Sequence, residues 1–184
     1  MSEANLRRTE RLHHGRVSAP GAVYFATFVT ANRVPWLADR RATTAMLMTL
    51  SRWHEEGDGV LLAAIVMPDH LHILFKLGIR LDVGRCVSRW KTEGCKESGY
   101  LGAWQRDFWE HRLGNDETWE DYGLYIFLNP FRAGLVARQK VWHGWWAPEP
   151  RQFKFLLLLG PKGEPPEEWI EWPEGKFAKL ATGE

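Results

Sequence analysis

Residues 63–77, AAIVMPDHLHILFKL, decide how this chain folds. Two apolar runs are separated only by Pro68 and Asp69, which reads as a tight turn joining a strand over Gly59–Met67 to a second over His70–Leu77. Side chains alternate faces along a strand, so His70 and His72 point one way and Leu71 the other. Two neutral imidazole donors on one face suggest a metal site. An H-x-H pair also arises by chance on a half-buried strand, so a second element is needed to give this one meaning.

Before the hairpin, Val23–Thr30 (VYFATFVT) is β-branched and aromatic without a turn residue, and reads as a first strand. Between them, Met46, Leu50 and Trp53 recur at helical spacing among polar neighbours, predicting a helix over about Asp39–Glu56. After the hairpin, Val83, Cys86, Val87 and Trp90 form the apolar side of a second helix over about Leu81–Glu97. The middle of Gly102–Leu113 reads as a fourth strand. A third helix is expected over about Glu117–Leu128, stopped because Pro130 disfavours the α conformation at Asn129 and has no N–H to donate. The order strand, helix, hairpin, helix, strand predicts an α+β fold, a ferredoxin-like split βαβ domain with an antiparallel sheet, an appended helix carrying tyrosine and an irregular C-terminal tail.

The expected organisation is a flexible basic arm over residues 1–20, a catalytic domain over 21–140 and a tail over 141–184. In that tail the run FKFLLLL is open to three readings: an extra strand, a cover over the site, or a self-association surface. With 184 residues and 45% hydrophobic content, one sizeable core is expected. No run of about eighteen apolar residues occurs, so a cytoplasmic protein without a membrane span is expected. Cys86 and Cys95 sit roughly 13 Å apart along one helix, too far for a disulfide. A formal charge of +1 excludes bulk histone-like basicity, and leaves any nucleic-acid surface to local clusters.

The second element is DYGLYIFLNPFRAGLV, residues 121–136, where Tyr125 and Asn129 stand four apart on one helical face. His70, His72 and Asn129 together would form a neutral ligand set that leaves a divalent ion its full charge for an anionic phosphodiester. Mg²⁺ or Mn²⁺ suits that set better than structural zinc. A phenol with pKa about 10 is a weak nucleophile unless a nearby cation assists it. Tyr122 is the alternative nucleophile, although Asn129 lies roughly 10 Å further along the helix from it. Taken singly, each residue has an ordinary explanation: buried tyrosines fill cores, and Asn before Pro ends helices.

The segments VMPDHLHILF, WQRDFWEHRL and YIFLNPFRAGLV, with SRWKTEGCKE between the first two, resemble in order and spacing the REP-associated tyrosine transposases, relatives of the single-tyrosine HUH transposases of insertion sequences. The resemblance covers about Val23–Val136. It implies that His70 and His72 bind a divalent metal, that Asn129 is the third ligand, and that Tyr125 attacks single-stranded DNA to give a 5′-phosphotyrosine. It also implies hairpin DNA as partner and a monomer rather than a dimer. For DNA contacts the sequence offers Arg85, Arg89, Lys91 and Lys96 on the second helix, and Arg106, Arg112, Trp104 and Trp109 around the fourth strand. Cations of that kind hold backbone phosphates while exposed rings stack on bases. The rival functions are a repeat-DNA or RNA-binding protein that has lost chemistry, and a metal-dependent phosphodiesterase that uses water and has no need of Tyr125.

Overall fold

The computed structural model describes residues 18–100 and 103–172. Five antiparallel strands form one sheet in the order β4-β1-β3-β2-β5: β1 Val23–Val29, β2 Gly59–Val66, β3 His70–Leu77, β4 Trp109–Arg112 and β5 Trp145–Trp146. The first four are the strands of the expected ferredoxin-like arrangement. Helices α1 (Arg40–Glu55) and α2 (Val83–Ser98) cover one face, and α3 (Trp119–Arg132) covers the other. A single turn, α4 (Glu167–Ile170), follows in the tail. Asp39, Asp82 and Thr118 each cap a helix by accepting a backbone N–H, of Arg41, Arg85 and Asp121 respectively.

Strand alternation divides the core in two. Tyr24, Ala26, Phe28, Ile73 and Phe75 meet Met46, Leu50, Trp53 and Trp90 from α1 and α2. Phe25, Leu74 and Ile65 meet Tyr122, Tyr125, Ile126 and Phe127 from α3. A β-bulge between Leu61 and Ala63 places the extra residue Leu62 on the α3 side and reverses the phase of β2 beyond it. The uniformly apolar LLAAIVM carries no period-two signal that would announce this. The register pairs Thr27 with His72 and Val29 with His70, so both histidines lie on the α3 face of the two central strands.

One expectation is corrected. Helix α3 does not stop before Pro130 but runs through it to Arg132. A proline inside a helix costs about 3 kcal/mol in an exposed setting. Here the same turn buries Phe127, Leu128, Pro130 and Phe131, and that tertiary gain outweighs the local penalty. The true stop is Gly134, at φ +66°, where Leu135 N–H donates to Pro130 O and Gly134 N–H to Phe131 O in a Schellman closure.

Of the three readings open for FKFLLLL, the structure excludes the strand: Lys154–Leu158 forms a 3₁₀ helix. It packs against α3, with Phe155 on Phe127 and the adjoining Phe153 on Gly123, where a Cβ would sit 2.3 Å from the Phe153 ring. The extra strand comes instead from Trp145–Trp146, on the edge of β2. Trp142 donates its indole N–H to Val66 O, so the tail as far as Trp172 belongs to the packed layer behind α3. The expected arm over 1–20 falls outside the described residues except for Ser18, Ala19 and Pro20. Ser18 Oγ accepts from Val83 N–H and Ala19 N–H donates to Tyr24 Oη. Among the described residues no helix is long and apolar enough to cross a membrane, and Cys86 and Cys95 form no disulfide.

Candidate active site

The antiparallel register brings His70 and His72 together with their ring centroids 4.8 Å apart, at 8% and 1% exposure. Each ring is held from behind by its Nδ1. His70 Nδ1 donates to Asp69 Oδ1 at 2.7 Å, and Thr27 Oγ1, across the strand pair, lies 2.8 Å from His72 Nδ1. Both Nε2 atoms are buried and have no hydrogen-bond partner. Burial holds His72 well below the usual histidine range, so its ring is neutral at physiological pH. The His70 hydrogen bond, outweighing burial, lowers Asp69 to about 2, with Arg33 adding to it. Asp69 is therefore an ionised acceptor, which takes the His70 Nδ1–H and fixes the orientation of the ring. Two adjacent imidazoles oriented through Nδ1, each with a buried and unpartnered Nε2, fit a divalent metal.

Helix α3 reaches across the sheet to this face. The Tyr125 ring lies 5.6 Å from His72 and 6.0 Å from Phe25, centroid to centroid. Asn129, half-buried, follows one turn later on the same side of the helix. No group of three His, Cys, Asp or Glu able to hold a metal occurs among the described residues.

Tyr122, the other candidate nucleophile, is engaged elsewhere. Its hydroxyl donates to Glu117 Oε1 at 2.6 Å, and the opposite carboxylate oxygen takes Gly114 N–H and His111 Nε2, both at 2.7 Å. Burial and the Glu117 carboxylate push the Tyr122 phenol well above its ordinary value. Against the burial that opposes it, hydrogen bonds from Gly114, Tyr122 and His111 hold Glu117 at about 2. This cluster locks the start of α3 onto β4 and makes Tyr122 a poor source of phenolate.

The proposed DNA contacts divide sharply. Arg89 is tied to Glu56, Asp58 and Glu93. Lys91 donates to Gln105 O and lies over Phe28 and Phe108, and burial lowers it to about 8. Trp104 packs edge-on to Phe28 and Trp36 and donates to Lys91 O. All three are engaged in contacts that hold the fold together. Arg85 and Lys96 are exposed, but on α2, across the sheet from the histidines. Arg106 and Arg112 are exposed near β4. Trp109 stands opposite Thr27 on the histidine face, half-buried against Phe25 and stacked on His111.

Sequence reading missed three supporting residues. Thr27 carries no motif, and only the register with β3 reveals it. Asp69 reads in the sequence only as a turn residue, yet it faces back onto its neighbour His70. Arg33 donates to Asp69 Oδ2 at 3.0 Å from the loop after β1. In that loop Asn32 and Arg33 both adopt left-handed backbone, φ 54° and 53°. This strains a non-glycine residue by roughly 1–2 kcal/mol, less for Asn, more than an exposed ion pair ordinarily returns. Thr30 and Leu37 dock the loop onto the hairpin turn through Asp69 O and Pro68 O.

A family model of IS200-like transposases matches residues 20–122, and the chain belongs to that family. The match ends at Tyr122, so Tyr125 and Asn129 enter through the geometry of α3. A protein of Haemophilus influenzae named as a REP-associated tyrosine transposase is 28% identical over 140 residues, 66% of this chain and 77% of that relative. A REP-associated tyrosine transposase of Escherichia coli K12 is 31% identical over 86 residues, 44% of this chain and 49% of its own. In fold the chain is similar to a solved REP-associated tyrosine transposase bound to a REP hairpin, with a TM-score of 0.62 at 22% identity over 94% of this chain and 96% of that one.

Proposed function

We propose that this transposase cuts and rejoins single-stranded DNA beside hairpins, with Tyr125 as nucleophile and a divalent metal held by His70, His72 and Asn129. The observation that carries this reading is the pair of buried Nε2 atoms without partners, with Nδ1 engaged behind each, next to the Tyr125 ring. A bound Mg²⁺ or Mn²⁺ would supply Lewis-acid polarisation of the target phosphate.

The chain's own residues do the rest. Asp69 and Thr27 hold the two imidazoles in place through Nδ1 and leave both Nε2 atoms without protein partners. Helix α3 holds the Tyr125 phenol beside His72, and Phe25 packs edge-on against it. Tyr125 Oη attacks phosphorus, forming the tyrosyl ester as the P–O3′ bond breaks. The proton leaves the phenol and the departing 3′ oxygen gains one. The ester conserves a phosphodiester-like bond, so attack by a free 3′ hydroxyl reverses the step and joins strands.

Incubation with a DNA hairpin carrying a single-stranded extension and Mn²⁺ is expected to yield cleaved DNA and a denaturation-resistant protein–DNA adduct. Tyr122→Phe retains the adduct. Tyr125→Phe loses both products, and normal cleavage by that variant overturns the mechanism.

A further inference from the structure

We propose that Arg33 is a phosphate clamp on the Nδ1 side of His70, gripping the DNA backbone with its free guanidinium donors while its Asp69 contact orients His70. The proposal rests on the metal-and-tyrosine reading above and assigns to that site a residue that its motif does not contain.

Three observations place Arg33 there. Its Nη1 bonds one oxygen of Asp69, and the other oxygen of the same carboxylate receives His70 Nδ1–H, so a single carboxylate joins the cation to the imidazole. The Arg33 side chain is 51% exposed against 11% for His70, so the relay runs from solvent to a buried ring whose Nε2 has no partner. The left-handed backbone at Asn32 and Arg33, in a loop pinned by Thr30 and Leu37 to the turn at Pro68 and Asp69, fixes where the guanidinium stands.

A guanidinium has five N–H donors in a planar fork, and Asp69 occupies one of them here. The remainder suit the paired oxygens of a phosphodiester, a geometry that an ammonium does not reproduce. Elsewhere on the chain the cation Arg89 is saturated by carboxylates and Lys91 is folded onto aromatic rings. Arg33 differs from both in keeping half of its side chain in solvent beside the histidines. Because the same carboxylate touches both groups, a phosphate drawn to Arg33 and an ion held at His70 share one support.

The test measures two equilibria without turnover. In EDTA, binding of a fluorescein-labelled DNA hairpin with a single-stranded extension is followed by anisotropy across a salt series. In the absence of DNA, Mn²⁺ binding is followed by electron paramagnetic resonance. Arg33→Ala is expected to weaken hairpin binding five- to tenfold and reduce the salt slope by about one phosphate contact. It should also weaken Mn²⁺ binding several-fold. Arg33→Lys is expected to restore the salt slope but not the Mn²⁺ affinity, because an ammonium keeps the charge and loses the fork.

Wild-type values for Arg33→Ala in both assays overturn the clamp, provided that His70→Ala abolishes Mn²⁺ binding, in which case the metal reading stands alone. Failure of the wild-type chain to bind Mn²⁺ overturns both. Circular dichroism of each variant separates these outcomes from unfolding.

Discussion

The two faces of the sheet are built from the same strands and do opposite things. On the α1/α2 face the side chains of β1 and β3 meet Trp53, Trp90 and Met46. The charged groups around it are consumed in pairs, Arg52 with Glu97 and Arg89 with three carboxylates. On the α3 face the same strands present His70, His72 and Thr27 beside Tyr125, and two buried nitrogens stand without partners. An unsatisfied buried polar atom costs about 1–3 kcal/mol. The first face also buries indole nitrogens without partners, those of Trp36 and Trp90, but an indole N–H can only donate, whereas an imidazole Nε2 can also accept or ligate; the two faces differ in the chemistry of what they leave unpaired.

The largest effect that sharpens this contrast lies on the stabilising face. Trp90→Ala removes a fully buried ring packed on Phe28, Trp53 and Phe75, and is expected to destabilise the fold by about 3–5 kcal/mol in urea unfolding. The fraction that remains folded should bind Mn²⁺ as the wild type does. Loss of metal affinity in that folded fraction would break the division of labour between the faces.

Next comes the histidine face. Asp69→Asn keeps the shape but removes the ionised acceptor behind His70, and is expected to weaken Mn²⁺ binding by about 10–100-fold in titration calorimetry. Its unfolding midpoint should move far less than that of Trp90→Ala. An unchanged Mn²⁺ affinity would mean that the carboxylate serves only the loop.

The smallest effect is a pH dependence at the start of α3. Glu117 is held at about 2 in the folded chain against an ordinary 4.5. Its unfolded form thus binds a proton first on acidification, and its contribution to stability is full above about pH 4.5 and is lost as the pH falls toward 2. Thermal melts of Glu117→Gln between pH 5 and 2.5 should show a shallower acid decline than the wild type. Parallel curves would remove Glu117 from the acid response.

Local chemistry made most of the fold legible. Pro68 and Asp69 bracket the hairpin, and the apolar spacing of Met46, Leu50 and Trp53 and of Val83, Cys86 and Trp90 gives α1 and α2 within a residue or two of their bounds. What local chemistry misjudged is Pro130, because a propensity of a few kcal/mol is overridden when a whole helical turn is buried. It also left FKFLLLL open among three roles: alternation is absent from a uniform apolar run, and contact with α3 selects a 3₁₀ turn there.

For the site, the sequence by itself determined the donors. An H-x-H on a strand must place both imidazoles on one face, and a spacing of four on a helix must place Tyr125 and Asn129 on another, because those periods are properties of the backbone. Only the tertiary structure decided that α3 lies across the histidine face, that Tyr122 is spent on Glu117 while Tyr125 stands beside His72, and that Thr27, Asp69 and Arg33 support the rings. These relations join residues from separate elements, and strand register and helix packing, which no local pattern encodes, are what bring them within hydrogen-bonding reach.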